Sequence, residues 1–225
     1  MKTQRLIDWV LIGYDEASME KHSNMILKRT FDFVTAFMAL LLLSPVFVVI
    51  ALMIKIITPG PVFFSQKRVG QHAGIFTLHK FRTMRVNHKG STITVKGEHR
   101  ITPLGAFLRK YKLDELPGFW NILRGEMSLV GPRPDVPGYA DMLNPQDRVI
   151  LDLKPGLTGP ATMKYSNEEE ILARQAYPAE YNDRVIYPDK VRINKHYIEN
   201  WSFLLDLKII IYTVLGKKLK DKWAQ

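Results

Sequence analysis

The sequence contains no cysteine. Disulfide frameworks, thiolate metal sites and cysteine nucleophiles are thereby excluded, and the redox compartment is left undetermined. A Walker-type phosphate loop and the Gly-rich dinucleotide fingerprint are also missing, so any nucleotide has to be bound by another solution. The histidines at positions 22, 72, 79, 88, 99 and 196 show neither metal-ligand spacing nor an order that supports a Ser-His-Asp triad. Any metal must be held by oxygen or His. Negative charge is comparatively scarce: Lys plus Arg number 32 against 22 Asp plus Glu, a formal charge of +10. That excess predicts an anionic partner and leaves nucleic acid, phosphorylated metabolites and a membrane surface open. No internal repeat or low-complexity tract interrupts the chain, and 225 residues with 46% hydrophobic side chains suit one core-bearing domain with a small appendage.

What is present begins with a single apolar run. Residues 33–54 carry no charge, and as a helix they would be about 33 Å long, enough to reach across a bilayer core. The run starts too late and is too long for a secretory signal. Ser44 and Pro45 sit at its centre. Proline removes an amide donor and crowds the carbonyl of Leu41, so a kink is expected there, with Ser44 available to satisfy a freed backbone group. Basic residues flank both ends, Lys28 and Arg29 before and Lys55, Lys67 and Arg68 after. Charge asymmetry therefore selects no orientation for a simple crossing, and a kinked span and a broken helix that enters and returns both remain open.

Residues 58–61, Thr-Pro-Gly-Pro, mark a boundary. Short runs at 62–64, 75–78 and 92–95 read as small strands, with Gly70 and Gly74 making a hairpin turn. Thr102 followed by Pro103 predicts an N-cap and a helix through about Lys112. Asp114 is expected to cap a second helix with Leu116, Phe119, Trp120 and Leu123 on one face and Gly125 at its end. Ser166 and Glu169 have capping-box spacing, and Ser202 is placed to cap an apolar helix running to about Leu215. The Lys-rich end beyond it, with Trp223, suits either a headgroup-level anchor or a solvated tail.

The stretch 109–134 carries the most chemistry. Asp114 and Glu115 are adjacent carboxylates with Arg109, Lys110 and Lys112 just upstream. A nucleophile beside a phosphorylated substrate and a helix cap with first-turn acids are both compatible with that pattern. Bringing a carboxylate to a phosphate requires a divalent cation or several Lys and Arg groups, and Glu115 is a suitable hard-oxygen ligand for Mg²⁺. Arg133 stands between two prolines that stiffen its loop, presenting a guanidinium for bidentate phosphate contact or simply to solvent. In the stretch 80–84, Lys80 and Arg82 alternate with apolar residues as on an edge strand aiming both cations to one face.

Taken together, the ordered strings resemble the bacterial sugar transferase family, the monotopic polyprenyl-phosphate phosphoglycosyl transferases that start cell-surface glycan assembly. They are KRTFDF at 28–33, the Ser44-Pro45 break, PVFFSQKRVG at 61–70, KFRTM at 80–84, LDELPGFWNIL at 113–123, GEMSLVGPRP at 125–134, KPGLTG at 154–159 and FLLDLKII at 203–210. The resemblance spans about residues 28–215. It implies a re-entrant helix broken at Ser44-Pro45 on the cytoplasmic face of the bacterial inner membrane. It implies that Asp114 attacks the β-phosphate of a UDP-sugar, releasing UMP, and that undecaprenyl phosphate then collects the sugar-phosphate, with Glu115 holding Mg²⁺. By position, Lys80, Arg109 and Arg133 match family residues associated with phosphate handling, and Glu126 matches an acid of a family segment; Arg82 joins the phosphate-binding candidates from its alternation with Lys80. After Gly159 many members read WAQVNGR where this chain reads PATMKYSN, which makes Lys164 the candidate substitute for the usual Arg and residues 159–187 the candidates for sugar selection.

The expected fold class is α+β and predominantly helical. An N-terminal extension (1–27) precedes the broken membrane helix (28–58), a catalytic domain with a short β element and amphipathic interfacial helices (59–215), and a basic tail (216–225). Membrane lipid is an expected partner and a homo-oligomer is left open. A membrane-tethered scaffold for anionic lipid or nucleic acid is the rival reading. Nucleic acid is disfavoured as a partner, because acids are interspersed with the basic residues and no aromatic RNA-binding motif is present.

Overall fold

The computed structural model describes residues 16–85, 100–217 and 219. Helix α1 (Glu16–Leu42) begins upstream of the boundary expected at residue 28 and is followed at once by α2 (Ser44–Ile57). The two axes meet at 59°. The cause is local: Pro45 has no N–H for the carbonyl of Leu41, and the Ser44 hydroxyl donates to that oxygen instead, at 2.8 Å. Among the described residues no single helix is long and apolar enough to cross a membrane, and the bent pair passes the same test only as a unit.

The outer surface of this pair is left uncovered. Leu41, Leu42, Val48, Leu52 and Ile56 are each more than half exposed, whereas Ala36, Ile50 and Ile54 are buried. Large exposed apolar patches are uncommon on soluble monomers and mark interaction surfaces.

Strand β1 (Phe63–Val69) pairs antiparallel with β2 (Ile75–Phe81), both longer than the sequence runs predict. The hairpin closes as expected on Gly70, whose N–H donates to the Gly74 carbonyl at 2.7 Å around a 3₁₀ turn at Gln71–Ala73. The strand expected at 92–95 lies outside the described residues. Helix α3 (Pro103–Lys110) has the expected cap, Thr102 Oγ1 accepting from the Gly105 N–H at 2.9 Å. It stops at Lys110 because Lys112 adopts a left-handed φ of 57°.

Two expectations are corrected here. Asp114 does not cap a helix: it lies within a single 3₁₀ turn, Leu113–Glu115, and α4 (Gly118–Leu123) starts after Pro117. The buried side of α4 is Gly118, Asn121 and Ile122, with Trp120 turned outward. Of the expected face, Leu116, Phe119 and Leu123 do pack against the core clusters and only Trp120 departs, and Gly125 follows the helix with a left-handed φ of 80°.

A short parallel pair, β3 (Ser128–Val130) and β4 (Gly156–Thr158), holds the loop that follows β3. A Cβ on Gly156 would come within 2.1 Å of the Gly131 nitrogen, so only glycine permits this approach. The remaining elements are α5 (Pro160–Lys164), α6 (Glu168–Ala173), α7 (Pro178–Tyr181), a π turn (Asn182–Ile186), α8 (Tyr187–Glu199) and α9 (Phe203–Val214), with 3₁₀ turns at Ala140–Met142 and Arg148–Leu151. Ser202 caps α9 as expected. The Ser166–Glu169 capping box does not form; Asn167 is the cap residue, and Glu169 turns to Arg109. Of the basic end, Lys218, Lys220, Lys222 and Trp223 lie outside the described residues.

Two core clusters place the site. One joins Ala36 of α1 to Ile122 of α4, Leu129 of β3, Tyr197 of α8 and Ile209 of α9. A polar seam runs beside it. Lys28 Nζ donates to Asp206 (2.6 Å) and to the Val130 carbonyl (2.9 Å), Tyr197 Oη donates to the same carboxylate, and Asp32 accepts from the Leu129 N–H. The other cluster packs Ile50 and Ile54 of α2 against Phe81 and Leu108, with Leu113 and Leu116 against it. Those two leucines bracket Asp114 and Glu115, so the carboxylate pair is seated on the inner face of the apolar helix pair.

Candidate active site

Glu115 is the centre of an ionic cluster. Lys80, from the end of β2, donates to Oε1 at 2.8 Å, and Arg133 grips both carboxylate oxygens, with Nη2 on Oε1 and Nη1 on Oε2. Arg133 is brought there by the loop after β3, which the Gly156–Pro132 and Gly131–Thr158 backbone bonds pin to β4. Lys80 is registered through Asn121 of α4, which accepts from the His79 N–H and donates to the Thr77 carbonyl. Glu126 accepts from the same amide at 2.7 Å, so it orders Asn121, and thereby β2, from outside the cluster.

Asp114 is built differently. It is buried, and its Oδ1 has no hydrogen-bond partner among the described residues. Burial and the neighbouring Glu115 charge lift its pKa, with Lys80, Arg109 and Lys112 opposing. Glu115 is also deeply buried, which by itself would raise it, but Arg133 and Lys80 hold it well below the usual carboxylate range. Lys80 is lowered by burial against the pull of Glu115, and Arg133 is raised by Glu115. Two adjacent carboxylates are thus driven apart: Glu115 is held as an anion, and Asp114 is the more basic carboxylate, poorly stabilised as an ion.

The other expected residues are distributed. Arg109 bonds Thr83 Oγ1 at 3.0 Å and Glu169 at 2.8 Å, which brings the segment around α6 to the edge of the site. Arg82 does not share a face with Lys80; β2 ends at Phe81, and the Arg82 guanidinium donates to the carbonyls of Thr58 (2.8 Å) and Pro59 (2.7 Å), clamping the end of α2. Lys164 is paired with Asp189 of α8 at 2.7 Å. Ser44 and Pro45 form the break.

Sequence reasoning missed Arg68. With Lys80, Glu115 and Arg133 it lines a small cavity, alongside Met127 and Leu157. The available signal was strand alternation, which puts Gln66 and Arg68 on one face of β1. Asp135, directly after the GPRP stretch, was missed as well; burial lifts its pKa to about 6, with Lys190 and Arg68 opposing.

Among the described residues no three carboxylate or imidazole groups converge into a cation cage. Glu115 Oε1 accepts from both Lys80 and Arg133, whereas Oε2 accepts from Arg133 only, and Asp114 Oδ1 is unpartnered. This donor set fits a hard divalent cation that keeps most of its shell in water and substrate phosphate, the habit of Mg²⁺.

A cation-lined cavity thus lies beside one clamped carboxylate and one whose Oδ1 is without a partner, against the exposed apolar helix pair. The family model for bacterial sugar transferases matches residues 23–218, and the chain belongs to that family. It is 38% identical over 201 residues to the UDP-glucose:undecaprenyl-phosphate glucose-1-phosphate transferase of Escherichia coli (strain K12), covering 85% of this chain and 40% of that protein. It is 34% identical over 193 residues to a UDP-N-acetylgalactosamine-undecaprenyl-phosphate N-acetylgalactosaminephosphotransferase of Aeromonas hydrophila, covering 84% and 43%. The exopolysaccharide production protein PSS of Rhizobium leguminosarum bv. phaseoli is 35% identical over 208 residues, covering 88% of this chain and 98% of that protein. The chain therefore spans less than half the length of the first two relatives and nearly all of the third.

Proposed function

We propose that this protein is a phosphoglycosyl transferase that moves a sugar-1-phosphate from a UDP-sugar to undecaprenyl phosphate, an early membrane step of surface polysaccharide synthesis. The activities named for its relatives support the reaction. The observation that carries the assignment of roles is the opposite electrostatic treatment of the two carboxylates, Glu115 clamped by Lys80 and Arg133 and Asp114 buried without a hydrogen-bond partner for Oδ1.

In the first step an Asp114 oxygen bonds to the β-phosphorus, the bond from phosphorus to the bridging oxygen breaks, and the electron pair leaves on UMP. In the second, an oxygen of the acceptor phosphate attacks the same phosphorus and the aspartyl oxygen departs as a carboxylate. Dividing the transfer in two lets one phosphate site serve donor and acceptor in turn. Arg133 and Lys80 stabilise charge on the transferring phosphoryl group. Glu115 Oε2 would hold Mg²⁺, which would supply further neutralisation of the diphosphate.

The bent pair α1–α2 is a re-entrant element entering from the cytoplasmic face of the inner membrane. Its exposed apolar surface and the packing of Leu113 and Leu116 on α2 support an active site at headgroup level, where a prenyl chain stays in lipid and its phosphate reaches Asp114. The segment around α6, tied to the site through Arg109 and Glu169, is the candidate for sugar selection.

The test is UMP release in nanodiscs with undecaprenyl phosphate and Mg²⁺, using a panel that includes UDP-glucose and UDP-N-acetylgalactosamine. Withholding acceptor should leave a sugar-phosphate adduct on Asp114 visible by mass spectrometry. Absence of UMP from every donor would overturn the function, and an adduct elsewhere would overturn the role of Asp114.

A further inference from the structure

We propose that Arg68 binds the α-phosphate of the UDP-sugar and stabilises the charge that collects on the departing UMP. The inference deepens the function proposed above and rests on it.

Arg68 is a half-buried cation with no hydrogen-bonded anion among the described residues. Its Nη1 donates to the Pro134 carbonyl at 2.9 Å and its Nη2 to Gln66 Oε1 at 2.7 Å, both neutral acceptors, and its Nε is sealed off without a partner. Lys80 and Arg133 share the cavity wall with it, but both are hydrogen-bonded to Glu115. Three cations therefore face one carboxylate on that wall, leaving two positive charges for an incoming ligand, the charge of a diphosphate. Asp135 is near enough to act on Arg68 through space, yet no hydrogen bond joins them. Burial and the adjacent Arg133 bring the Arg68 pKa down to about 10, as for a cation short of anionic contacts. A half-buried guanidinium whose Nε is sealed off without a partner costs the fold unless an anion lies near it.

Position assigns the phosphate. Arg68 shares the cavity wall with Lys80, Glu115 and Arg133, whereas Asp114 is not part of that wall and adjoins it through Glu115, its chain neighbour. Asp114 and Arg68 therefore lie on either side of the Glu115 cluster. A β-phosphate placed for attack by Asp114 directs the α-phosphate toward Arg68. When the bond between the β-phosphorus and the bridging oxygen breaks, the α-phosphate gains one negative charge, and a rigid guanidinium held by Gln66 and Pro134 meets it without reorganising.

The experiment compares UMP and uridine as competitive inhibitors of the nanodisc enzyme and of Arg68→Gln and Arg68→Lys. UMP inhibition should weaken by at least about tenfold in Arg68→Gln while uridine inhibition changes by less than about twofold, with Arg68→Lys intermediate. The KM for undecaprenyl phosphate should not move. Unchanged UMP inhibition would overturn the inference. So would parallel loss of UMP and uridine inhibition, which would mean that Arg68 only props the Pro134 loop. If Arg68→Gln does not fold, full UMP affinity in Arg68→Lys, which keeps charge but loses the planar fork, sinks the proposal. Wild-type enzyme that releases UMP beside an unaffected Arg68→Gln refutes this inference alone, whereas wild-type enzyme that neither releases nor binds UMP refutes the underlying function as well.

Discussion

At the scale of single residues, the site works by treating neighbours unequally. Glu115 and Asp114 are adjacent in sequence, yet one receives two cations and the other leaves Oδ1 bare. Asp114→Asn should lower turnover by about a thousandfold or more while leaving thermal stability at pH 7 no lower than wild type, because it removes a carboxylate whose ionised form the fold disfavours. UMP release and a melting curve on the same preparation check both halves. Asp135 provides a pH test. Its pKa of about 6 lies above the 3.8 of an unperturbed Asp, raised by burial and by Glu168 against Lys190, Arg68 and Arg133. Between those two values the folded state holds more protons than the unfolded state, so wild-type stability falls as pH rises through that window. The stability of Asp135→Asn relative to wild type should therefore grow by on the order of 1 kcal/mol from pH 4 to pH 7 and stay flat below pH 4, as read from denaturant unfolding.

At the scale of elements, an apolar helix pair is joined to the turn that carries Asp114 and Glu115. The bend is a property of two residues, since Pro45 withholds an amide and Ser44 supplies a hydroxyl to Leu41. Pro45→Ala restores an amide donor, and the 59° bend should open, measurable as a longer distance between spin labels placed on α1 and α2. The seam between α1 and α9 is the second joint. Lys28 and Asp206 are both nearly inaccessible to solvent. Lys28→Met should destabilise the fold by about 3 kcal/mol or more, because it leaves the buried Asp206 carboxylate with only neutral donors, Tyr197 and Trp201. Local signals sufficed for the Thr102 and Ser202 caps and for the hairpin at Gly70. They failed at Asp114, three residues ahead of the Pro117 cap position, and at Ser166, one residue ahead of the Asn167 cap position.

At the scale of the whole molecule, the uncovered surface of α1 and α2 asks for lipid, and the basic composition suits an anionic headgroup layer. If the pair is re-entrant, labels at the start of α1 and just after α2 should be accessible from the same side of sealed vesicles. Opposite-side labelling would establish a kinked span instead. Relatives named for glucose and for N-acetylgalactosamine transfer match at similar identity, so the similarity favours neither sugar.

The amino-acid order alone determined what is local in this protein: the uncharged run and its Ser-Pro break, the helix caps at 102 and 202, the hairpin glycines, and the presence of adjacent carboxylates among basic residues. Each of these depends on φ limits, missing donors or side chains within a few positions. Folding decided the ionic partners. Lys80 reaches Glu115 across 35 positions and Arg133 across 18, while Arg82 and Lys164 are drawn away to Thr58 and Asp189 and Arg68 enters the cavity. A long charged side chain goes wherever packing leaves an acceptor within its reach, and that acceptor comes from distant segments whose approach no local pattern encodes.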